Sequence, residues 1–335
     1  MKKILVTGGA GFIGSNFIHY IFKKYKNYQI VNLDKLNYCG NLENLKDIEK
    51  NPNYKFIKGD ICDKNLIDNL LKNEKPDAII NFAAMTHVDR SILDAEEFIK
   101  TNILGVQILL EASKKYKISR FIQISTDEVY GSILKGKFKE TDILDPSSPY
   151  SASKASAELL ALSYFKTYNL PVLITRSSNN YGPFQYPEKL IPLFVTNLLE
   201  GKKVPIYGDG KQVRDWLYVL DNSIAIDLVL HKGKIGEIYN IGGNSEKENI
   251  EITKNIFKIL GKNESSIEYV KDRLAHDRRY AIDSSKIKKL GWKPEYKFSE
   301  ALKITVDWYK NNQSWWQRIK TGEYLKYYQT QYGKK

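Results

Sequence analysis

Lys3-Ile-Leu-Val-Thr7 followed by Gly8-Gly9-Ala10-Gly11-Phe12-Ile13-Gly14 restricts the possible folds more than any other stretch of this 335-residue chain. The first five residues read as a short buried strand, and the amphipathic run Ser15 to Lys24 reads as a helix. Gly8, Gly11 and Gly14 punctuate the turn between them. Glycine allows a tight turn and lets the backbone approach a pyrophosphate, which then rests on the helix N-terminus. A second strand, Gln29 to Leu33, ends in Asp34, twenty residues after Gly14. An acid there accepts hydrogen bonds from an adenosine ribose diol and repels a 2′-phosphate, which favours NAD over NADP. Lys35 beside it is the one local feature that would suit a phosphate.

The alternation continues. Tyr54 to Lys58 is a third strand and runs into Gly59-Asp60-Ile61. Asp60 suits the adenine edge, or else a cap for a helix over 65–73. Asp77 to Phe82 is a fourth strand, followed by the small pair Ala83-Ala84, past which a cofactor fits closely. A helical period covers 94–115 and includes Thr101-Asn102. Strand 120–124, a helix over 150–168 and strand 172–175 follow. Strands alternating with helices predict an α/β fold, a Rossmann-type doubly wound parallel sheet, over 1–176. After Arg176 the texture changes, and Pro183, Pro187, Pro192 and Pro205 are expected to break regular structure. Segments within about 215–242 return to the first sheet. The second unit, 177–335, is therefore expected to be a smaller, discontinuous α/β substrate domain.

Chemistry concentrates after strand 120–124. Ser125-Thr126-Asp127-Glu128-Val129-Tyr130-Gly131 puts hydroxyls and carboxylates at a strand's carboxyl end, where open parallel sheets bind ligands. Adjacent strand residues face opposite ways, so Asp127 and Glu128 reach one substrate only if the backbone turns there. Two carboxyls in unlike surroundings supply an acid and a base. A helix N-cap is the alternative reading of the same residues. Tyr150 and Lys154 stand one helical turn apart, where an ammonium is expected to lower the phenol's pKa. An exposed helical pair is the bland alternative.

Composition narrows the class. Net charge is +13, but the lysines are spread along the chain, so no nucleic-acid partner is expected. The lysine- and tyrosine-rich tail, 315–335, reads as a solvated helix. No apolar run spans a bilayer, and the short apolar stretch after Met1-Lys2-Lys3 is broken by Gly8-Gly9, so neither a membrane segment nor a secretory leader is expected. Cys39 and Cys62 are too few for a disulfide framework and suggest a reduced, cytoplasmic setting. The four histidines lack metal-ligand spacing, so no metal site is expected. Lys189, Arg214, Lys271, Arg273, Arg278 and Arg279 supply cationic donors. The dense run Asp272 to Tyr280 reads as an anion clamp or as a surface ion-pair network.

Taken together, the glycine turn, the Thr126-Asp127-Glu128 run and Tyr150-x-x-x-Lys154 resemble the extended short-chain dehydrogenase/reductases. Within these, the chain resembles the dTDP-glucose 4,6-dehydratases. Further matches are His87-Val-Asp-Arg-Ser91, Ser178-Asn-Asn-Tyr-Gly-Pro183, Val213-Arg-Asp-Trp-Leu217 and Tyr239-Asn-Ile-Gly-Gly243. The resemblance implies NAD as cofactor, held by Gly8, Gly11, Phe12, Ile13, Gly14, Asp34, Lys35, Leu36, Asn37, Asp60, Ile61, Phe82, Ala83, Ala84, Thr101, Tyr150, Lys154 and Asn180. It implies a nucleotide-sugar site of Thr86, Thr126, Asn179, Lys189, Leu190, Pro205, Ile206, Tyr207, Arg214, Asn249, Asp272, Arg273 and His276. Thr126, Asp127, Glu128, Tyr150 and Lys154 would be catalytic, and the protein a homodimer. A plain 4-epimerase needs no carboxyl pair, so Asp127–Glu128 separates the two chemistries. Two departures stand out. Met85-Thr86 replaces the family's usual Glu-Ser and keeps a UDP-glucose 4,6-dehydratase open, and Leu274-Ala275 replaces Pro-Gly.

Overall fold

The computed structural model describes residues 2–272, 274 and 276–332. Among the described residues there are twelve strands: β1 (Lys3–Thr7), β2 (Gln29–Asp34), β3 (Tyr54–Lys58), β4 (Ala78–Asn81), β5 (Arg120–Thr126), β6 (Val172–Ser177), β7 (Asn179–Tyr181), β8 (Val204–Tyr207), β9 (Val213–Tyr218), β10 (Ile238–Ile241), β11 (Glu246–Glu248) and β12 (Ile267–Val270). Seven of them form a parallel sheet in the order β10-β6-β5-β4-β1-β2-β3. The chain reverses direction across the sheet between β1 and β4. That is the point at which an open α/β sheet leaves a crevice beyond its carboxyl ends.

Both faces of this sheet are covered, which explains why its strands read as near-continuous apolar runs. Ile4 and Val6 point into one apolar layer, with Phe17, Ile18 and Ile21 of helix Phe12–Lys24 and Ile226 and Val229 of helix Val219–Lys232. Leu5 points into the other, with Ile67 of helix Lys64–Glu74, Leu109 of helix Val106–Lys115 and Ala157 of helix Pro149–Tyr168. A third apolar cluster lies under helices Leu190–Leu199, Asn249–Leu260 and Phe298–Asn311, and there Leu193, Ile256 and Val306 are buried.

Several expectations change in detail. The helix expected over 94–115 is three joined pieces, Glu96–Ile99, a π-helical turn Lys100–Gly105, and Val106–Lys115. Asn102 in the π turn ties itself to neighbouring backbone: its Oδ1 accepts from Met85 N at 2.9 Å and its Nδ2 donates to Met85 O at 3.0 Å. β9 belongs to a small sheet, β11-β9-β7, so the return to the large sheet starts at Val219 rather than near 215. Pro192 and Pro205 do not break structure. Pro192 sits in the first turn of its helix, where an N–H has no partner to lose, and Pro205 lies in β8, which pairs only with β12. The tail is not a solvated helix either. Helices Gln313–Ile319 and Glu323–Tyr332 bury Trp315, Trp316, Tyr324 and Tyr327. Among the described residues no helix is long and apolar enough to cross a membrane.

Candidate active site

Helix Phe12–Lys24 starts from Gly11 with no side-chain cap and no acid in its first turn. Its leading amides are therefore left for an anion. A Cβ on Gly14 would lie 2.5 Å from the Gly8 carbonyl oxygen, and one on Gly8, at φ +70°, 2.6 Å from Ala83 N. The turn after β1 and the turn after β4 thus touch only because both lack bulk. Asp34 is fixed at the end of β2, accepting from Ala10 N at 2.9 Å and from Leu36 N at 2.8 Å. Burial raises its pKa, and the two amides oppose that. Asp60 pairs with Lys35 at 2.9 Å, so Lys35 is held by a carboxylate. The helix cap that Asp60 was the alternative candidate for is Asp63.

One cleft takes in Gly8, Gly11, Phe12, Ile13, Gly14, Asp34, Lys35, Asn37, Asp60, Ile61, Phe82, Ala83, Ala84, Thr101 and Asn180, together with Thr86, Thr126, Asp127, Glu128, Tyr150 and Lys154. Leu36 is the exception among the expected cofactor residues. At φ +55° it contributes its backbone amide to Asp34 and does not line the cleft. An uncapped helix start, a glycine cradle and a buried acid at the second strand fit NAD.

β5 runs two residues further than the apolar run suggested and ends at Thr126. Thr126 then caps a 3₁₀ turn, Asp127–Tyr130, its Oγ1 accepting from Glu128 N at 3.2 Å. The cap and the site are therefore the same feature: capping turns the backbone, and the turn brings both carboxylates to the cleft. Asp127 is 2 % exposed. Its Oδ1 accepts from Thr126 Oγ1 at 3.3 Å, and its Oδ2 is buried with no hydrogen-bond partner. Burial first, then Glu128 and Asp215, push its carboxyl well above the usual carboxylate range. Glu128 is half-buried.

Ser148 caps helix Pro149–Tyr168, accepting from Ser151 N at 3.1 Å, with Pro149 in the first turn. This sets Tyr150 at the helix start, where its amide donates to Ser91 Oγ at 3.2 Å. The Tyr150 phenol is buried, and burial followed by the Glu128 charge raises its pKa, while a hydrogen bond with Thr126 lowers it. Lys154 Nζ donates to Ile124 O at 2.6 Å, and burial pushes its pKa down to about 8. The expected lowering of the Tyr150 pKa by Lys154 is thus not seen. The ammonium is engaged by a backbone carbonyl, and burial governs both groups.

A second cavity adjoins the cleft and shares Glu128, Asn179 and Lys189 with it. Leu190, Pro205, Ile206, Tyr207, Arg214, Asn249 and His276 line it, as the sequence led us to expect. Arg214 lies over the Tyr280 ring at 4.3 Å. Lys189 Nζ donates to Thr86 O at 2.9 Å. Asp272 lines neither cavity. Its carboxylate instead accepts from Gln212 Nε2 at 3.2 Å and faces His276 Nδ1. Arg273 lies outside the described residues. Arg278 and Arg279 pair with Asp209 and Glu246, which is the ion-pair reading of that run.

The sequence matches the family described as GDP-mannose 4,6 dehydratase over residues 5–305. The chain belongs to that family. It is 52% identical over 306 residues to the low-salt glycan biosynthesis protein Agl12 of Haloferax volcanii, covering 91% of this chain and 98% of that protein. It is 50% identical over 344 residues to a dTDP-glucose 4,6-dehydratase of Xanthomonas campestris, covering 97% of each. A crystal structure of dTDP-glucose 4,6-dehydratase from Bacillus anthracis in complex with NAD superposes with a TM-score of 0.90 at 54% identity, over 95% of this chain and 100% of the other.

For a member of the GDP-mannose 4,6-dehydratase family, the site holds residues that pattern reading missed. Gln185 and Tyr186 line the cleft, and His87, Phe194, Trp216, Tyr280 and Tyr332 line the second cavity. Tyr332 had a signal, since Tyr324, Tyr328 and Tyr332 recur at helical spacing. Of the others, Phe194 lies on helix Leu190–Leu199, Trp216 within β9, and His87, Gln185, Tyr186 and Tyr280 on loops, and only the tertiary fold brings them together.

Proposed function

We propose that the protein is an NAD-dependent dTDP-glucose 4,6-dehydratase, a hydro-lyase that yields dTDP-4-dehydro-6-deoxyglucose. The observation that carries the reading is the pair of unlike carboxyls, one buried and one half-buried, turned by Thr126 onto the cleft that holds Tyr150. The names of the Xanthomonas campestris and Bacillus anthracis relatives support the thymidine nucleotide.

NAD bound in the cleft supplies a hydride acceptor for the sugar C4 and later a hydride donor for C6. Tyr150, hydrogen-bonded to Thr126, would take the proton of the 4-hydroxyl once the positive charge of bound NAD offsets the burial that raises its pKa. Lys154 holds the cofactor's ribose side of the cleft. A ketone at C4 acidifies the C5 proton, which Glu128 removes. Asp127, kept protonated by burial, donates to the departing 6-hydroxyl, and water leaves. A proton then returns to C5. Lys189, Arg214 and His276 meet the diphosphate, and Tyr207 the base.

On the same reading the chain divides near 176 into a cofactor part, with its return at 219–241, and a sugar-nucleotide part. A homodimer accounts for Ile99, Leu104 and Leu159, which stand 56%, 49% and 60% exposed on the helices over 96–115 and 149–168. The free thiols of Cys39 and Cys62 suit a cytoplasmic setting. The test is turnover of dTDP-glucose beside UDP-glucose, with the product weighed by mass spectrometry. Loss of one water, faster from the thymidine sugar, is expected. Faster dehydration of UDP-glucose assigns the uridine substrate instead.

A further inference from the structure

The second cavity has a wall from a distant part of the chain. Tyr332, at the end of helix Glu323–Tyr332, lines it beside Tyr207. The two rings lie 5.9 Å apart at 36°. The preceding residue is engaged as well, since Gln331 Nε2 donates to the Tyr207 hydroxyl at 2.6 Å. Tyr207 also donates to Asp89 Oδ2 at 3.2 Å, so Asp89 of helix Val88–Leu93 and Gln331 of this helix both hold its hydroxyl.

The helix is held in place along its length. Tyr324 OH donates to Pro187 O at 3.3 Å, and Tyr327 OH to Asp89 Oδ2 at 3.4 Å. The Arg90 guanidinium lies between the rings of Tyr38 and Tyr327, 4.1 and 4.3 Å from their centroids. Arg90 Nε also donates to the buried Glu188 at 3.0 Å. A surface helix that only covered apolar core would need none of these polar ties to cavity-side loops. This one is locked onto the short helix Val88–Leu93, which carries Asp89, and onto the loop over 187–189, which ends in Lys189.

The cavity combines aromatic rings, Tyr207, Trp216 and Tyr332, with the cations Lys189 and Arg214 and the imidazole of His276. Rings suit a flat heterocycle, and cations suit a diphosphate. We infer that Tyr332 contacts the nucleotide of the substrate, and that helix Glu323–Tyr332 closes the second cavity over it. This rests on the cavity being the sugar-nucleotide site. Tyr332 is then a determinant of nucleotide affinity that acts without touching the reacting carbons.

The test is calorimetric titration of the NAD-loaded protein and its Tyr332→Ala and Tyr332→Phe variants with dTDP, UDP and GDP. KM and kcat are measured beside it. For Tyr332→Ala a Kd increase of about tenfold on the preferred nucleotide is expected, about the loss of one ring contact. KM should rise with it, kcat should change less than about twofold, and bound NAD should be retained. Tyr332→Phe keeps the ring and recovers most of the affinity. A Kd for Tyr332→Ala within about twofold of the parent protein overturns the inference. So does joint loss of NAD and nucleotide that Phe does not rescue, which assigns the helix a structural role. Preference for UDP or GDP by the parent protein overturns the thymidine reading alone, because the Tyr332 comparison is then made on that nucleotide.

Discussion

Asp127 and Glu128 occupy adjacent positions but different surroundings, and at the scale of single residues that difference is the chemistry. Asp127 is enclosed, and burial, Glu128 and Asp215 together raise its pKa. Such a carboxyl binds its proton more tightly in the folded state than in the unfolded chain. Its contribution to stability is therefore favourable below the unfolded pKa and is lost as pH rises toward the folded value. Asparagine at this position removes the titration. Asp127→Asn is expected to match the parent's melting temperature near pH ~4 and exceed it by about 2 °C or more near pH ~8, while dehydration is abolished. A variant less stable than the parent at the higher pH would contradict the buried, protonated acid. Glu128→Gln is expected to keep C4 oxidation and lose at least about 100-fold in overall turnover. On mixing with dTDP-glucose, reduced-nicotinamide absorbance should rise without release of a dehydrated product. Full turnover in that variant would remove Glu128 from the role of base.

At the scale of elements, the glycine turn and the catalytic helix hold the site. Alanine at Gly14 puts a Cβ 2.5 Å from a backbone oxygen, which no side-chain rotation relieves. Gly14→Ala is expected to purify without NAD and to melt several degrees lower, as read by absorbance of the released cofactor and by calorimetry. Retained NAD at the parent's level would show that the turn tolerates bulk. This is also the scale at which the sequence was most legible. β1, β3 and the helix starting at Pro149 were readable almost to the residue: burial on both sheet faces makes β1 an apolar run, β3 at the sheet's edge is partly buried but rich in Tyr, Phe and Ile, and Ser148-Pro149 marks a helix start. The π turn at Lys100–Gly105 was not, since Asn102's bonds to Met85 are tertiary. Lys154 shows the same limit. Its spacing to Tyr150 was visible, but the carbonyl of Ile124 that engages it belongs to a strand thirty residues away. The tail was misread because lysines lie between its tyrosines, and these cover the face that packs.

At the scale of the whole molecule, one topology brings together parts that no local pattern relates. The reversal between β1 and β4 opens the cofactor crevice, β5 delivers the carboxyls to it, and the second cavity meets it at Glu128. The helices over 96–115 and 149–168 leave Leu104 and Leu159 outside, which places the proposed dimer contact on the opposite side of Pro149–Tyr168 from the buried Ala157 and Ala161. Leu159→Arg is expected to convert a dimer to a monomer in light scattering, since a buried unpaired charge at such a contact costs several kcal/mol. A parent protein that is already monomeric, or a variant that stays dimeric, would move the interface elsewhere.

The central claim is that one bound cofactor removes hydride from C4 and returns it to C6 of the same sugar, with water lost between. It is tested most directly by turnover of dTDP-glucose deuterated at C4. The account predicts a 4-keto-6-deoxy product carrying the deuterium at C6. An epimerised sugar that has lost no water, or a dehydrated product with the label gone to solvent, would contradict it.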